Sequence, residues 1–249
     1  MYGTQKIVFL PQCQSTNDEL WALLDAGHVE PGVLLYAGFQ TAGRGQRGTQ
    51  WLAEPGVALL CSCLLHVAGR VEPESLFDLS RAVALALVDA IEAHTGLTLE
   101  LKWPNDLYAG GQKLGGILIE NRWSGQGLEW SVVGLGLNVN QQAFEPGLRA
   151  TSLRLQTGRA WSIDFWAATL QQALSLCPAA LANRALLRSR FDGRLRGLGK
   201  VGQYQTEQGE RFAAIVLGTT EDGLLRLGSL AGEQKFALKE VAEVPELTL

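Results

Sequence analysis

The apolar positions in the first third of the chain fall into short continuous runs. Residues 6–10 and 33–39 form two such runs, and a third, VALLCSCLL, follows the turn residues Pro55 and Gly56. Runs of this length between turn signals predict strands buried in a sheet. Cys61 and Cys63 are two residues apart in the third run, so they should share one face and pack in the core.

Helical periodicity separates these runs in two places. One helix should begin at Ser15 and end at Gly27, with Asp18 at its third position. The other should begin at Ser75 and end at Gly96. Its buried stripe is expected to consist of Leu79, Val83, Leu87 and Ile91.

From residue 97 the pattern changes to strands. LTLELKW, KLGGILIE and EWSVVGLGLNVN predict three strands, with NDLYAGG and RWSGQG as connections and the second connection as a hairpin turn. Residues 162–190 read as helical, with Ser162 as N-cap and Pro178 as a break. Short strands with turns at EQGE, EDG and AGE predict a small all-β module over residues 200–249.

Composition narrows the class of protein. The chain has 249 residues, of which 47% are hydrophobic and 18% charged, as is typical of a globular protein with a sizeable core. The formal net charge of −4 argues against a general nucleic-acid-binding protein. The four cysteines form no C-x-x-C pair, so no zinc site is apparent. Without a signal peptide or long apolar segment, we expect a reduced, cytoplasmic protein with no membrane partner.

The stretch GRGQRG, residues 43–48, fits the G-x-G-x-x-G pattern of dinucleotide-binding loops. That interpretation requires a helix directly after the loop and an acidic residue about 20 positions further on. Residues 49–56 lead instead through a turn into a strand, and residues 60–70 contain no Asp or Glu. Closely spaced glycines with Arg44 and Arg47 would still suit a bound anion, the alternative being a solvated surface turn.

Three further motifs place polar residues beside apolar strands. KWPNDLY contains Asn105 and Asp106, KLGGILIE begins with Lys113, and GLGLNVN places Asn138 and Asn140 on one strand face. Taken singly, Asn105 and Asp106 could be turn residues and Asn138 a satisfied core amide.

Together with S-T-N (15–17) and Q-T-A-G-R-G-x-R-G-x-x-W (40–51), these motifs resemble the biotin protein ligases, in order and over nearly the whole chain. The resemblance implies an α+β fold. A catalytic domain over residues 1–196, with a mixed β-sheet of the biotin/lipoate ligase type (class II synthetase-like), would precede a C-terminal SH3-like β-barrel over 200–249. The motifs begin at Ser15, as in the short form without an N-terminal DNA-binding domain, so we expect no nucleic-acid partner.

The resemblance implies an ATP-dependent ligase. Biotin would be activated to biotinyl-5′-AMP with release of pyrophosphate, then transferred to a lysine of a biotin carboxyl carrier protein, or of the carrier domain of a biotin-dependent carboxylase. ATP, biotin and Mg²⁺ are the implied ligands, with Mg²⁺ carried mainly by the ATP phosphates. The resemblance allows a monomer or a homodimer, and leaves the acceptor and the role of the barrel open.

The resemblance also assigns roles to residues. Ser15, Thr16 and Gln40 should bind the ureido head of biotin, and Asp106 should position Mg²⁺ or the incoming lysine. The catalytic set is Arg44, Arg47, Lys113 and Asp106. The biotin-binding set is Ser15, Thr16, Asn17, Gln40, Gly43, Arg44, Gly45, Gln46, Lys113, Gly115 and Gly116. The adenylate-binding set is Arg44, Arg47, Trp51, Asn105, Lys113 and Asn138. Residues 43–49 should close over the intermediate as a lid.

Two departures and two alternatives accompany the resemblance. Gln46 and Thr49 stand where arginines are common, and a neutral contact is weaker than a charged one by about 1–1.5 kcal/mol, or about tenfold. A lipoate or octanoate ligase or transferase shares the fold, although Ser15, Thr16 and Gln40 favour a ureido ring. A catalytically silent binding module would leave the charged residues of the catalytic set without a function.

Overall fold

The computed structural model describes residues 6–125 and 127–244, apart from the side chain of Arg47. A mixed sheet occupies the larger part of the chain and an antiparallel sheet follows it. The strands of the first sheet are β1 (Ile7–Leu10), β2 (Leu34–Ala37), β3 (Ala58–His66), β4 (Leu99–Lys102), β5 (Asp106–Ala109), β6 (Gln112–Ser124) and β7 (Gly127–Asn138). The strands of the second are β8 (Val201–Thr206), β9 (Arg211–Thr219), β10 (Leu225–Ser229), β11 (Gly232–Phe236) and β12 (Val241–Val244).

The first sheet has the strand order β1-β2-β3-β7-β6-β5-β4. β1 and β2 run parallel, and the other neighbours are antiparallel, which confirms the predicted mixed sheet. The central pairing sets Gly116 of β6 opposite Gly136 of β7, and Ser62 of β3 opposite Gly134 of β7. Because side chains alternate between the faces of a sheet, these four positions lie on one face.

Helices pack on the sheet and on one another. They are α1 (Thr16–Asp25), α2 (Leu76–Thr95), α3 (Leu153–Thr157), α4 (Ile163–Ser175), α5 (Cys177–Ala180) and α6 (Arg184–Asp192). The predicted stripe of α2 is fully buried, and Gly96 ends that helix at φ 71°. Within the described ranges, no helix is long and apolar enough to cross a membrane.

The starts of α1, α2 and α4 were predicted correctly, but two of the expected caps are absent. Ser15 and Ser75 hold the N-cap positions of α1 and α2, and neither side chain makes a capping hydrogen bond in the described structure. Asp18 forms an ion pair with Arg44 instead of supporting a cap. Ser162 does cap α4, accepting from the backbone N–H of Phe165.

Two elements lay outside the prediction. The segment NDLYAGG, expected to be a connection, contains β5, which begins at Asp106 and pairs with both β4 and β6. The short helix α3 was also not predicted. Tertiary pairing stabilises β5, because this four-residue strand is held by ladders to β4 on one side and to the longer β6 on the other.

The C-terminal sheet corrects one expectation. Its order is β11-β10-β9-β8-β12, so in the described residues it is open, with β11 and β12 at its edges, and is not a closed barrel. Most residues of β11 are exposed to solvent, as is usual for an edge strand. Tyr204, Val216 and Leu227 of this sheet share a continuous apolar core with the helices of the first part. The domain boundary between residues 196 and 200 therefore stays a prediction.

Candidate active site

A cavity of about 310 Å³ lies on the face of the first sheet formed by β3, β7, β6 and β5. Residues from four other places complete its walls: the start of α1, the loop over residues 40–51, the turn at 104–106, and residues 238–239 from the C-terminal part. Segments far apart in the sequence thus converge on one space. The predicted motifs lie together at this cavity.

Glycines form the floor of the cavity. Gly134 and Gly136 are two residues apart on β7, so both face the cavity. A β-carbon at Gly134 would lie 2.5 Å from Oδ1 of Asn17, and one at Gly136 would collide with the indole of Trp51. Neither glycine was predicted as a site residue, although alternating glycines within a strand indicate that another group approaches the backbone closely.

The polar end of the cavity is built from the S-T-N motif. Ser15, Thr16 and Asn17 are only 4%, 4% and 3% exposed. The backbone N–H of Thr16 donates to Oε1 of Gln40 at 2.7 Å, which joins the motif to the start of the loop. Ser62 Oγ lies 2.7 Å from Thr16 Oγ1 and 2.5 Å from Asn17 Oδ1. This end of the cavity therefore offers several hydrogen-bonding groups to a small polar ligand.

The opposite end of the cavity carries charge. Nζ of Lys113 lies 2.8 Å from Oδ1 of Asp106 and 5.5 Å from the ring of Trp51. Asn105 holds the preceding turn against β6, because its Nδ2 donates to the carbonyl of Ile117 at 2.6 Å. The lysine cation can stabilise an anionic ligand. The carboxylate beside it can accept a proton from a reacting group.

A shift in strand register brings Lys113 to this end. Lys113 and Gly116 are three residues apart, so in a regular strand their side chains would face opposite sides of the sheet. The pairing of β5 with β6 shifts between Leu107 and Tyr108, which sets Lys113 opposite Tyr108 and leaves Gly116 opposite Asp106. A β-carbon at Gly116 would lie 3.5 Å from Nζ of Lys113. The irregularity thus turns the lysine towards the cavity.

Two carboxylates hold Arg44 at the base of the loop. Its Nη2 lies 2.6 Å from Oδ1 of Asp18 and 2.9 Å from Oε1 of Glu120. Glu120 also accepts from Nε1 of Trp21 at 3.1 Å. The arginine thus joins the loop to α1 and to β6. The predicted role of Arg47 concerns its side chain, which lies outside the described atoms.

The loop has internal order of its own. Residues Gln46–Gly48 form a short 3-10 turn, and the backbone N–H of Gly45 donates to the carbonyl of Thr49 at 2.7 Å. The N–H of Trp51 donates to the carbonyl of Gly43 at 3.0 Å, so the two ends of the loop are tied together. In this arrangement the Trp51 side chain packs against the glycines of the cavity floor.

Most of the predicted site residues line this cavity. Those that do are Ser15, Thr16, Asn17, Gln40, Arg44, Gly45, Gln46, Trp51, Asn105, Asp106, Lys113 and Gly116. Three predicted residues lie elsewhere. Gly115 faces Leu107 and Leu137 on the other side of the sheet. Gly43 is buried and contributes its backbone to the loop closure. Asn138 is buried and donates to the carbonyl of Thr151 at 3.0 Å, which fits the satisfied core amide.

Two residues of the C-terminal part line the cavity without having been predicted. Leu238 and Lys239 follow β11, and Lys239 has a φ of 77°. No local motif marks this segment, because its position depends on how the second sheet packs against the first. The region around residue 239 therefore contributes directly to the site.

Known proteins with a similar sequence or fold belong to one family. Residues 9–138 match the biotin/lipoate A/B protein ligase family. The chain is 32% identical to the biotin–[acetyl-CoA-carboxylase] ligase of Paracoccus denitrificans, over 93% of this chain and 98% of that protein. It is 37% identical to the ligase of the same name from Mycobacterium tuberculosis, over 61% of this chain but only 56% of that protein. The structure of biotin protein ligase from Aquifex aeolicus in complex with biotin and ATP superimposes with a TM-score of 0.78, at 26% identity over 96% of this chain and 99% of that one.

Proposed function

Because this chain belongs to the biotin/lipoate A/B protein ligase family, we propose that it activates biotin with ATP and then transfers it to a lysine of a carrier protein. The observation that carries the proposal is the polarity of the cavity. One end, where Asn17 lies beside Gly134, presents Thr16, Asn17 and Gln40, and the other, beside Gly116, presents Lys113. Biotin has the matching form, with a cyclic urea at one end and a carboxylate at the other.

In the first step, an oxygen of the biotin carboxylate attacks the α-phosphorus of ATP. The bond from that phosphorus to the bridging oxygen breaks, and pyrophosphate leaves with the bonding electrons. Both reactants are anions, so a fixed cation is needed to bring them together and to stabilise the charge of the transition state. Lys113 provides that cation at the end of the cavity opposite the polar motif.

In the second step, the amine of the acceptor lysine attacks the acyl carbon of the adenylate, an amide forms, and AMP leaves. A lysine with an ordinary pKa near 10.4 is only about 0.04% neutral at pH 7, so a nearby base assists the attack. Asp106 occupies a suitable place, since its carboxylate lines the cavity and contacts Lys113 at 2.8 Å. It takes up the proton that the lysine loses.

The loop protects the intermediate between the two steps. An acyl-adenylate is a mixed anhydride that water hydrolyses, so it must be covered until the acceptor arrives. Residues 43–49 border the cavity, and Trp51 at the end of the loop reaches the glycine floor. With the ligand bound, the loop and Trp51 close over the acyl-phosphate junction.

Mg²⁺ would enter with the nucleotide. Across residues 6–125 and 127–244, no group of three or more His, Cys, Asp or Glu side chains is placed to hold a metal ion. The carboxylate of Asp106 is paired with Lys113. Mg²⁺ commonly takes one or two carboxylates together with substrate phosphates, so these residues fit an ion carried mainly by ATP.

The acceptor we propose is a biotin carboxyl carrier protein, or the equivalent domain of a biotin-dependent carboxylase. The relatives from P. denitrificans and M. tuberculosis are named as ligases for acetyl-CoA carboxylase. This chain spans little more than half of the second of these proteins. The acceptor therefore has to be identified by transfer of labelled biotin to purified carrier domains.

The proposal is tested by exchange of labelled pyrophosphate into ATP, with biotin and lipoate in parallel reactions. We expect exchange with biotin, and a loss of about 100-fold in Lys113→Met, a change typical of losing one transition-state contact. Lys235→Met is the matched control, because Lys235 is an exposed residue of β11. Exchange with lipoate alone, or none with either acid in folded protein, would overturn the proposal.

A further inference from the structure

Ser62 lies in the middle of β3, a run that the sequence predicted as a buried strand. Its side chain is 0% exposed, yet its neighbours across the sheet include Gly134, whose missing side chain leaves space beside it. Asn17 Oδ1 occupies that space, 2.5 Å from Ser62 Oγ, and Thr16 Oγ1 lies 2.7 Å from the same oxygen. One buried hydroxyl thus contacts two residues of the S-T-N motif.

A serine hydroxyl has one proton to donate and lone pairs with which to accept. The amide oxygen of Asn17 has no proton, so a 2.5 Å contact with it requires that Ser62 be the donor. With its proton engaged there, Ser62 meets Thr16 as an acceptor. The hydrogen bonds then run in one direction, from Thr16 through Ser62 to Asn17.

From this arrangement we infer that Ser62 is a positioning residue that sets which groups of the cavity act as donors and which as acceptors. The proton of Thr16 is directed at Ser62, so its lone pairs are left for a ligand. The amide nitrogen of Asn17 is buried without a hydrogen-bond partner among the described residues, so it is left as a donor. Oε1 of Gln40 accepts from Thr16, which leaves the Gln40 amide nitrogen as a second donor.

A cyclic urea requires this mixture. It has two N–H donors, which need acceptors such as Thr16, and one carbonyl, which needs donors such as the amide nitrogens of Asn17 and Gln40. A dithiolane ring or a plain alkyl chain makes no such bonds. Ser62 is not among the residues that line the cavity, so it acts on urea recognition through Thr16 and Asn17. This inference rests on the proposed function, because it takes biotin as the ligand.

The test measures the Kd of biotin for the wild type, Ser62→Ala and the matched control Ser131→Ala. Ser131 is also 0% exposed, lies on the neighbouring strand β7, and bonds to Asn121 outside the cavity lining. We expect Ser62→Ala to weaken biotin binding by about 10- to 100-fold and Ser131→Ala to change it less than about threefold, because only the first loses a bond that orients the ligand groups.

Two further measurements separate positioning from a general structural role. Desthiobiotin keeps the urea but lacks the sulfur ring, so Ser62→Ala should weaken the binding of desthiobiotin by the same factor as the binding of biotin. The KM for ATP should stay within about twofold of the wild type while the KM for biotin rises. Ser62→Cys keeps a side chain of similar size with a weak hydrogen-bond donor, so its affinity for biotin should lie between those of the wild type and Ser62→Ala. If the alanine variant does not fold, Ser62→Cys is compared with the wild type instead.

The outcomes are distinguishable. If the wild type binds biotin and Ser62→Ala binds it as tightly as Ser131→Ala does, the role of Ser62 is wrong and the proposed function stands. If Ser62→Ala raises the KM values for ATP and biotin equally, the effect is structural and the inference is overturned. If the folded wild type binds no biotin, the proposed function fails, and the inference fails with it.

Discussion

Trp51 packs its indole ring against the backbone of Gly136, so closely that the strand has no room for a side chain there. Gly116 on the neighbouring strand lies under the same ring, where a β-carbon would be 3.1 Å from Cζ3. The indole Nε1 is buried and has no hydrogen-bond partner among the described residues. The loop and the cavity floor are thus in direct contact, and a ligand must compete with Trp51 for the space above Gly136.

Gly136→Ala should therefore weaken biotin binding at least tenfold. The added β-carbon collides with the indole position and narrows the floor on which the ligand would lie, and overpacking of this kind is not relieved without backbone shifts. Equilibrium binding of biotin is the measurement. Gly125→Ala is the control, because a β-carbon at Gly125 meets no heavy atom within 4 Å. If Gly136→Ala and Gly125→Ala bound biotin with equal affinity, Gly136 would not be part of the floor on which the ligand lies.

Asp106→Asn should separate the two half-reactions. Pyrophosphate exchange should stay within about threefold of the wild type, because Lys113 keeps its charge and its neighbour keeps its shape. Transfer from preformed biotinyl-5′-AMP to a carrier domain should fall by about 100-fold, within the range of general-base catalysis. Single-turnover transfer measures this step. An equal loss in both half-reactions would assign Asp106 to holding Lys113 rather than to accepting a proton.

Gln46→Arg should slow the escape of the adenylate about tenfold, since a charge-assisted contact replaces a neutral one. Gln46 lines the cavity, and its Oε1 is buried with no partner among the described residues, so the position faces the ligand space. Release of labelled biotinyl-5′-AMP into a trap of unlabelled ligand gives the rate. Gln12→Arg adds the same charge at an exposed position and should leave the rate unchanged. An unchanged rate in Gln46→Arg would reject the prediction.

Arg81→Ala should destabilise the fold by about 3–5 kcal/mol, as expected when one partner of a buried ion pair is removed. Arg81 is 0% exposed and pairs with Asp78 at 2.6 Å. It also donates to the carbonyls of Thr220 and Glu221 at 2.5 and 3.0 Å, which attaches α2 to the C-terminal sheet. Urea unfolding gives the free energy.

The control for this prediction is Arg190→Ala. Arg190 forms a more exposed pair with Asp89 at 2.8 Å, and its loss should cost less than about 1 kcal/mol. If the two variants unfolded at the same urea concentration, Arg81 would not have the structural role that its contacts indicate.

Stability should fall as the pH rises above 9. Burial raises the pKa of Cys61 and of Cys177 to about 12, from an ordinary value of 9.0. The unfolded chain therefore loses these protons at a pH where the folded chain keeps them. The stability contributed by the thiols is fully present below about pH 9 and is lost as the pH approaches 12.

The size of this effect is about 2 kcal/mol per thiol between pH 9 and pH 10.5, at about 1.4 kcal/mol per pH unit. Urea unfolding at these two pH values measures it. Burial also raises the pKa of Tyr36 and of Tyr204 to about 12, so they act in the same direction. In the double variant Cys61→Ala, Cys177→Ala, the free energy of unfolding should decline less with rising pH than in the wild type. An equal decline would show that these two thiols are not its source.

Local pattern determined a large part of this protein. Alternation and helical periodicity depend on near neighbours in the chain, so the sequence alone located β1, β2, β3 and the limits of α2. The order of polar motifs was equally a property of the sequence, and it indicated the family and most of the residues that line the cavity. The closing glycine of α2 was predictable because a left-handed residue at a helix end favours glycine.

Tertiary structure decided which groups meet. The register shift in β5 and β6 turns Lys113 towards Asp106, although spacing along the strand predicts that Lys113 and Gly116 face opposite sides of the sheet. Arg44 contacts Asp18 of α1 and Glu120 of β6, two carboxylates that no local pattern linked to its motif. The barrel implied by the resemblance is an open sheet in the described residues.

Ser62 shows the physical reason most directly. In the sequence it is one polar residue in an apolar strand, and nothing local distinguishes a core hydroxyl from one that orients a ligand site. Its role depends on Gly134 across the sheet and on Thr16 and Asn17 at the start of α1. Contacts between residues more than 40 positions apart are set by how the sheet and helices pack, and periodicity along the chain carries no information about them.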